Sequence, residues 1–117
     1  MKKILSASLL AAGLALAGSA QAATTLLNVS YDVMRDFYKD YNAAFQKHWA
    51  AEHPDDKLTL QMSFGGSSKQ ARSVIDGLPA DVITMNMATD INALVDNGKL
   101  VPDNWVTRLP NNSAPFT

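Results

Sequence analysis

The hydrophobic pattern of this chain switches repeatedly between a two-residue and a helical period, and that alternation restricts its fold more than any other feature. Residues 26–31, Leu-Leu-Asn-Val-Ser-Tyr, are apolar or β-favouring and contain neither glycine nor proline, as a strand requires. Asp32 follows as a candidate helix cap. Val33, Phe37, Tyr41, Ala44, Phe45, His48 and Trp49 then recur at three- and four-residue steps, predicting a first helix with an inward apolar stripe. Pro54 and the Asp55-Asp56 pair close it in a polar turn. Residues 57–64 alternate, with Leu58, Leu60 and Met62 on one side and Lys57, Thr59, Gln61 and Ser63 on the other. A glycine pair, a second helix through Lys69, Gln70, Ala71, Arg72, Val74 and Ile75, and a stop at Gly77 come next. A third strand is predicted over residues 81–87 and a third helix over 90–97. Strands separated by helices favour a parallel sheet covered by helices, so the expected fold class is α/β, three-layered, with a mostly parallel sheet.

The first 22 residues stand outside that pattern. Lys2 and Lys3 precede an apolar stretch over residues 4–17, and Ala20-Gln21-Ala22 supplies the small-x-small sequence of a cleavage site. The stretch is shorter than a membrane span needs. Residues 1–22 are therefore expected to be a secretory leader cut after Ala22, leaving 95 residues. Losing Lys2 and Lys3 leaves eight basic side chains against eleven acidic ones and moves the net charge from −1 to −3. Such a mildly acidic surface argues against a polyanion partner such as nucleic acid. The absence of cysteine excludes a disulfide scaffold, a thiol nucleophile and a thiolate metal site. No cysteine stands at the cleavage point to carry a lipid, so a free, extracytoplasmic chain is expected. Three strands form a small sheet with two exposed edges, and residues 23–117 are expected to be an incomplete part of a larger α/β lobe.

Chemistry concentrates where strands hand over to helices. In Gly65-Gly66-Ser67-Ser68-Lys69-Gln70, Ser67 is a candidate helix cap, with Gln70 three residues on as in a capping box. Free N–H groups, the positive end of a helix dipole and a serine hydroxyl would together suit an oxyanion. The same residues also read as a plain helix cap after a glycine turn. They form neither a Walker loop nor a dinucleotide fingerprint. Asp32 is the second candidate, either an ordinary cap or a carboxylate that organises its loop by accepting backbone N–H groups. Thr89-Asp90 marks a third such junction. In open α/β sheets ligands bind beyond the carboxyl ends of the strands, where these junctions would converge.

The remaining polar residues read more plainly. Lys69 and Arg72 are expected to be solvated, since a buried ion pair carries a heavy desolvation cost. His48 is expected to pack partly buried beside Trp49, and His53 to lie in a solvated turn. Neither has a nucleophile and an orienting carboxylate nearby in sequence, and no Gly-x-Ser-x-Gly elbow exists, so the sequence does not read as an enzyme and calls for no cofactor or metal.

Several segments together carry a family resemblance. Leu26-Leu27-Asn28-Val29-Ser30-Tyr31-Asp32, the segment from Tyr41 to Trp49, the run Gly65-Gly66-Ser67 through Gly77, Ala80-Asp81-Val82, and the tail from Asn104 to Pro115 resemble the start of mature periplasmic sulfate-binding proteins. The resemblance covers essentially all of residues 23–117. It implies the first lobe of a two-lobed receptor that serves an ATP-driven sulfate or thiosulfate importer in the inner membrane, works as a monomer, and holds the dehydrated anion with backbone N–H groups, a serine hydroxyl and an indole. The family's first-lobe aspartate falls on Asp32 and the serine after its glycine pair on Ser67. Trp105 is not thereby the ligand tryptophan. The chain departs from the family pattern at Val33, where proline is common, at Phe64, where histidine is common, at Ser68, where glycine is common, and at Asn86, a polar residue within the expected third strand.

The resemblance leaves another tetrahedral oxyanion, molybdate or phosphate, as an alternative ligand, and a fragment without independent activity as an alternative description of the isolated chain. Phosphate differs in that it can carry a proton, which a receptive carboxylate would favour. The leader is testable directly: mass spectrometry of the exported protein should show a chain beginning at Ala23, and a retained Met1 or a distant start would contradict it.

Overall fold

The computed structural model describes residues 22–115, so the expected leader and its cleavage lie outside the described residues apart from Ala22. The first strand, β1, spans Ala22–Tyr31 and is longer than the sequence pattern alone predicts. Helix α1 covers Arg35–Glu52, β2 Asp56–Gly65, α2 Ser67–Ile75, β3 Val82–Thr84 and α3 Ala88–Asp96. The expected alternation of strand and helix is therefore present.

The strand order is β2-β1-β3, and both pairings are parallel. The chain moves outward from β1 to β2, then returns across β1 to β3. Right-handed crossovers in opposite directions place α1 and α2 on opposite faces of the sheet, which makes three layers. Because β1 is central and changes its neighbour there, the gap at its carboxyl end between β1 and β3 is a topological switch point.

The core is narrow. Val29, Met34, Tyr38, Leu58, Ala71 and Leu94 are its buried hydrophobic side chains. On α1 the inward stripe differs from the one the spacing suggests. A 3-10 turn at Asp32–Met34 precedes the helix, and Met34 and Tyr38 face inward while Val33, Phe37 and Tyr41 are exposed. The Tyr38 hydroxyl shares a buried hydrogen bond with Thr84 Oγ1 on β3. A buried hydroxyl requires such a partner, and this one fixes the rotation of α1.

The outer aromatic rings pack along the helix instead of into the core. Phe37 stacks on Tyr41 at 5.5 Å and Tyr41 on Phe45 at 6.3 Å, as side chains four residues apart allow. Trp49 continues the series to His53, 4.0 Å away. His48 does not pack partly buried as expected. It is exposed and lies 3.3 Å from Glu52 one turn on.

Helix α2 ends as its sequence predicts. Gly77 adopts φ +111°, a left-handed conformation that glycine takes without steric cost, and its N–H reaches the Val74 carbonyl. The third strand is much shorter than residues 81–87. Asn86 is thus not an intrusion into a strand. It stands in the bend between β3 and α3, where its N–H turns away from the sheet toward α2.

Candidate functional site

The parallel register brings all three strand-to-helix junctions to one edge. Tyr31 is opposite Gly65, and Ser30 is opposite Thr84. Asp32, the start of α2 and the bend before α3 therefore lie side by side.

At the second junction the capping box does not form. Gly66, with φ −61° and ψ 137°, is the N-cap, and Ser67 is the first helical residue. Gln70 is used differently: it is 5% exposed, and its Nε2 donates to the Ser63 carbonyl at 2.8 Å, Ser63 Oγ at 3.0 Å and the Ser30 carbonyl at 3.2 Å. It ties the ends of β1 and β2 together beneath α2. Gly65 makes room for this, since a Cβ there would meet Gln70 Oε1 at 3.3 Å.

A glycine N-cap has a consequence for binding. A serine or aspartate there would spend its oxygen on an amide of the first turn. Gly66 brings no side-chain acceptor, and a Cβ placed on it would meet nothing within 4 Å. The first intrahelical bond of α2 runs from Gln70 N–H to the Gly66 carbonyl at 2.9 Å. The amides of Ser67, Ser68 and Lys69 precede it and have no helical partner, so the opening of α2 is a cluster of donors at the positive end of the helix dipole.

Ser67 Oγ is committed to the protein itself. It donates to Asp90 Oδ2 at 2.5 Å and accepts the Asn86 N–H at 2.8 Å. Ser68 Oγ donates to Asp90 Oδ1 at 2.8 Å. Asp90 is 6% exposed and sits in the first turn of α3. A carboxylate there interacts favourably with the helix dipole. Of the three junctions, the one at Thr89-Asp90 is thus already supplied with an internal negative charge. Sequence reading placed Asp90 at a helix start but missed its partnership with Ser67 and Ser68, because a contact across 22 or 23 residues leaves no local pattern.

Asp32 is not a side-chain cap either. It opens the 3-10 turn, and its carboxylate accepts from Arg35 Nη2 at 3.0 Å. The Arg35 guanidinium also lies 4.5 Å over the Phe64 ring. A short polar side chain can reach back to an amide, but a neighbouring guanidinium offers a charge-assisted bond and wins the carboxylate. The pair is exposed, so its contribution to stability is small, and its effect is to balance the Asp32 charge beside the junction.

The other cations behave as surface groups. Arg72 pairs with Asp76 at 3.0 Å on the exposed side of α2, and Lys69 is exposed. The Trp105 indole is engaged within the chain, donating to Asn92 Oδ1 at 3.0 Å. Among the described residues no group of three His, Cys, Asp or Glu side chains could hold a metal ion. No helix among them is long and apolar enough to cross a membrane. An open groove of about 810 Å³ runs beside β3, lined by Tyr31, Tyr38, Asn86, Met87 and Trp105 among others, and neither Asp32 nor Ser67 lines it.

A parallel α/β sheet whose strand ends gather amide donors can hold a small anion at those ends, and the family comparison is in keeping with that. Residues 26–115 match the model of the bacterial extracellular solute-binding proteins, and the chain belongs to that family. It is 77% identical, over all 117 residues, to the thiosulfate-binding protein of Pseudomonas aeruginosa, and spans 35% of that protein's length. It is 52% identical to the thiosulfate-binding protein of Escherichia coli over 92% of this chain and 31% of the relative. Among solved structures, the sulfate-binding protein SubI from Mycobacterium tuberculosis superposes with a TM-score of 0.59 at 29% identity, covering 73% of this chain and 28% of that one.

Gln70 gives the clearest local test of this geometry. Gln70→Leu keeps the volume but leaves the Ser30 and Ser63 carbonyls without their donor. It should cost about 1–3 kcal/mol in a urea unfolding titration. A change below about 0.5 kcal/mol, the range of ordinary surface substitutions, would contradict the bridging role.

Proposed function

We propose that this chain forms the leading part of the first lobe of a periplasmic receptor that binds sulfate or thiosulfate for an ATP-driven importer of the inner membrane. The observation that carries the reading is the 77% identity to a thiosulfate-binding protein along the whole chain. Further support comes from the sulfate-binding protein of Salmonella typhimurium, 50% identical over 92 residues. The chemistry at the strand ends suits the same ligand class.

In this reading Asp32 and Ser67 are the anion-binding residues of the lobe, and each contributes its backbone N–H. The Asp32 carboxylate is engaged by Arg35, and the Ser67 hydroxyl by Asp90, which leaves the amides as the groups on offer. An oxyanion held by neutral dipoles needs no buried counter-charge and avoids the desolvation of a second ion. The anion would sit between this edge and residues supplied by the rest of a full-length receptor.

The two functions of Ser67 can be separated by substitution. Proline is tolerated at the first helical position, and Gly66 already has the extended conformation that a following proline requires. Ser67→Ala removes the hydroxyl; Ser67→Pro removes the hydroxyl and the amide donor together. We would join this chain to the remaining segment of the Pseudomonas aeruginosa relative and measure sulfate and thiosulfate binding by calorimetry. Ser67→Pro should bind more weakly than Ser67→Ala by about 1.5–3 kcal/mol, roughly ten- to a hundredfold, the value of a hydrogen bond to a charged group. Equal affinities for the two variants would remove the Ser67 amide from the site.

A further inference from the structure

Two polar atoms on β1 are buried without a protein partner. Asn28 and Ser30 stand two residues apart on the strand, so their side chains leave the same face of the sheet. The register sets Thr84 opposite Ser30, and Thr84 Oγ1 bonds the Tyr38 hydroxyl, so this is the face that α1 covers. Ser30 is 0% exposed, and among the described residues nothing bonds its Oγ. Asn28 Oδ1 is likewise shielded from solvent and likewise unmatched. A hydroxyl and an amide oxygen buried in this way are costly, and in folded proteins such groups are satisfied by other protein atoms or by an ordered water. Both oxygens lie beneath the surface of the lobe, so segments added outside it do not reach them.

We propose that the lobe holds one internal water molecule between β1 and α1, bonded to both Ser30 Oγ and Asn28 Oδ1. The chemistry of the pair fits water closely. An amide oxygen only accepts, whereas a hydroxyl also donates. A single water that accepts from Ser30 and donates to Asn28 answers both groups at once. The spacing fits as well. Two residues of strand cover about 6.6 Å. Two hydrogen bonds of about 2.8 Å join polar atoms up to about 5.6 Å apart, which side chains leaning toward each other attain. Buried waters commonly make a third bond. Thr84 Oγ1, opposite Ser30 on the next strand, supplies it and joins the water to the Tyr38–Thr84 pair that fixes α1. A cation would find no negative charge in this pair, and an anion would meet the Asn28 oxygen. The strand that carries the site ends at Tyr31, immediately before Asp32, so the water fastens that strand end to α1 from inside. This inference rests on the packing of α1 against β1 and is independent of the receptor reading.

A high-resolution crystal structure of the same joined receptor tests the site on the unaltered sequence. It should show one water within about 2.6–3.2 Å of both Ser30 Oγ and Asn28 Oδ1. A direct bond between the two side chains, a protein partner for either oxygen, or two oxygens with no partner at all would overturn the proposal. Urea unfolding gives a second reading in solution. Ser30→Ala should lower the unfolding midpoint, because it takes a bond from the water. Were the hydroxyl unsatisfied, a methyl group would suit the site better and the midpoint would rise. In an Asn28→Leu background the amide oxygen is gone and the site is dry, so Ser30→Ala should lose its cost. An equal loss in both backgrounds, or a rise in the parent, would overturn the shared water. Should Asn28→Leu fail to fold, the crystal structure of the parent decides alone. A joined receptor that binds neither sulfate nor thiosulfate would defeat the receptor reading and leave this inference standing.

Discussion

Central placement of β1 is the constraint from which the rest of the structure follows. Its parallel pairing with β2 on one side and β3 on the other makes all three strands point the same way. Every strand then ends on one edge, and each passes into a helical turn there. Had either neighbour run antiparallel, its junction would open at the opposite end of the sheet. The polar side chains at that edge hold the arrangement in place: Gln70 bridges β1 and β2, Tyr38 joins α1 to Thr84 on β3, and Asp90 ties α3 to the start of α2.

That edge carries two carboxylates, an unexpected property for a proposed anion site. Each has its own compensation. Asp32 is balanced by an exposed arginine, and Asp90 is buried under two hydroxyls in the first turn of a helix. Negative charge is thus kept engaged while the amides at the opening of α2 remain without helical partners. The division of labour within Ser67 follows from the same geometry. Its side chain organises the protein, and its backbone is the part left for a ligand.

Much of the architecture was legible in the sequence because it is written in local patterns. The two-residue period of residues 57–64, the polar turn at Pro54 and the glycine stop at Gly77 each correspond to what the chain does there. The resemblance of Gly65-Gly66-Ser67 and Tyr31-Asp32 to the sulfate-binding family led to the family that the comparison shows. Most of the errors originate in contacts between residues distant in sequence. The inward face of α1 is set by the bond from Tyr38 to Thr84, 46 positions away, so the apolar spacing alone gave the wrong stripe. Gln70 looked like half of a capping box because Ser67 lies three residues before it; three oxygens on the strand ends outcompeted that local role. His48 fitted the helical spacing of the aromatic residues but found a carboxylate one turn away on the surface. The third strand ended early because the Asn86 amide is drawn to Ser67, which no one-dimensional pattern records.

The position of the bound anion decides whether the amides of Asp32 and Ser67 hold it. A crystal structure of this chain, joined to the rest of a receptor and grown with sulfate, locates it directly. Sulfate oxygens should lie about 2.7–3.2 Å from the backbone nitrogens of Asp32 and Ser67, with both serine hydroxyls still turned to Asp90. An anion seated in the groove beside β3, or one held by side-chain cations with those two amides untouched, would contradict that placement.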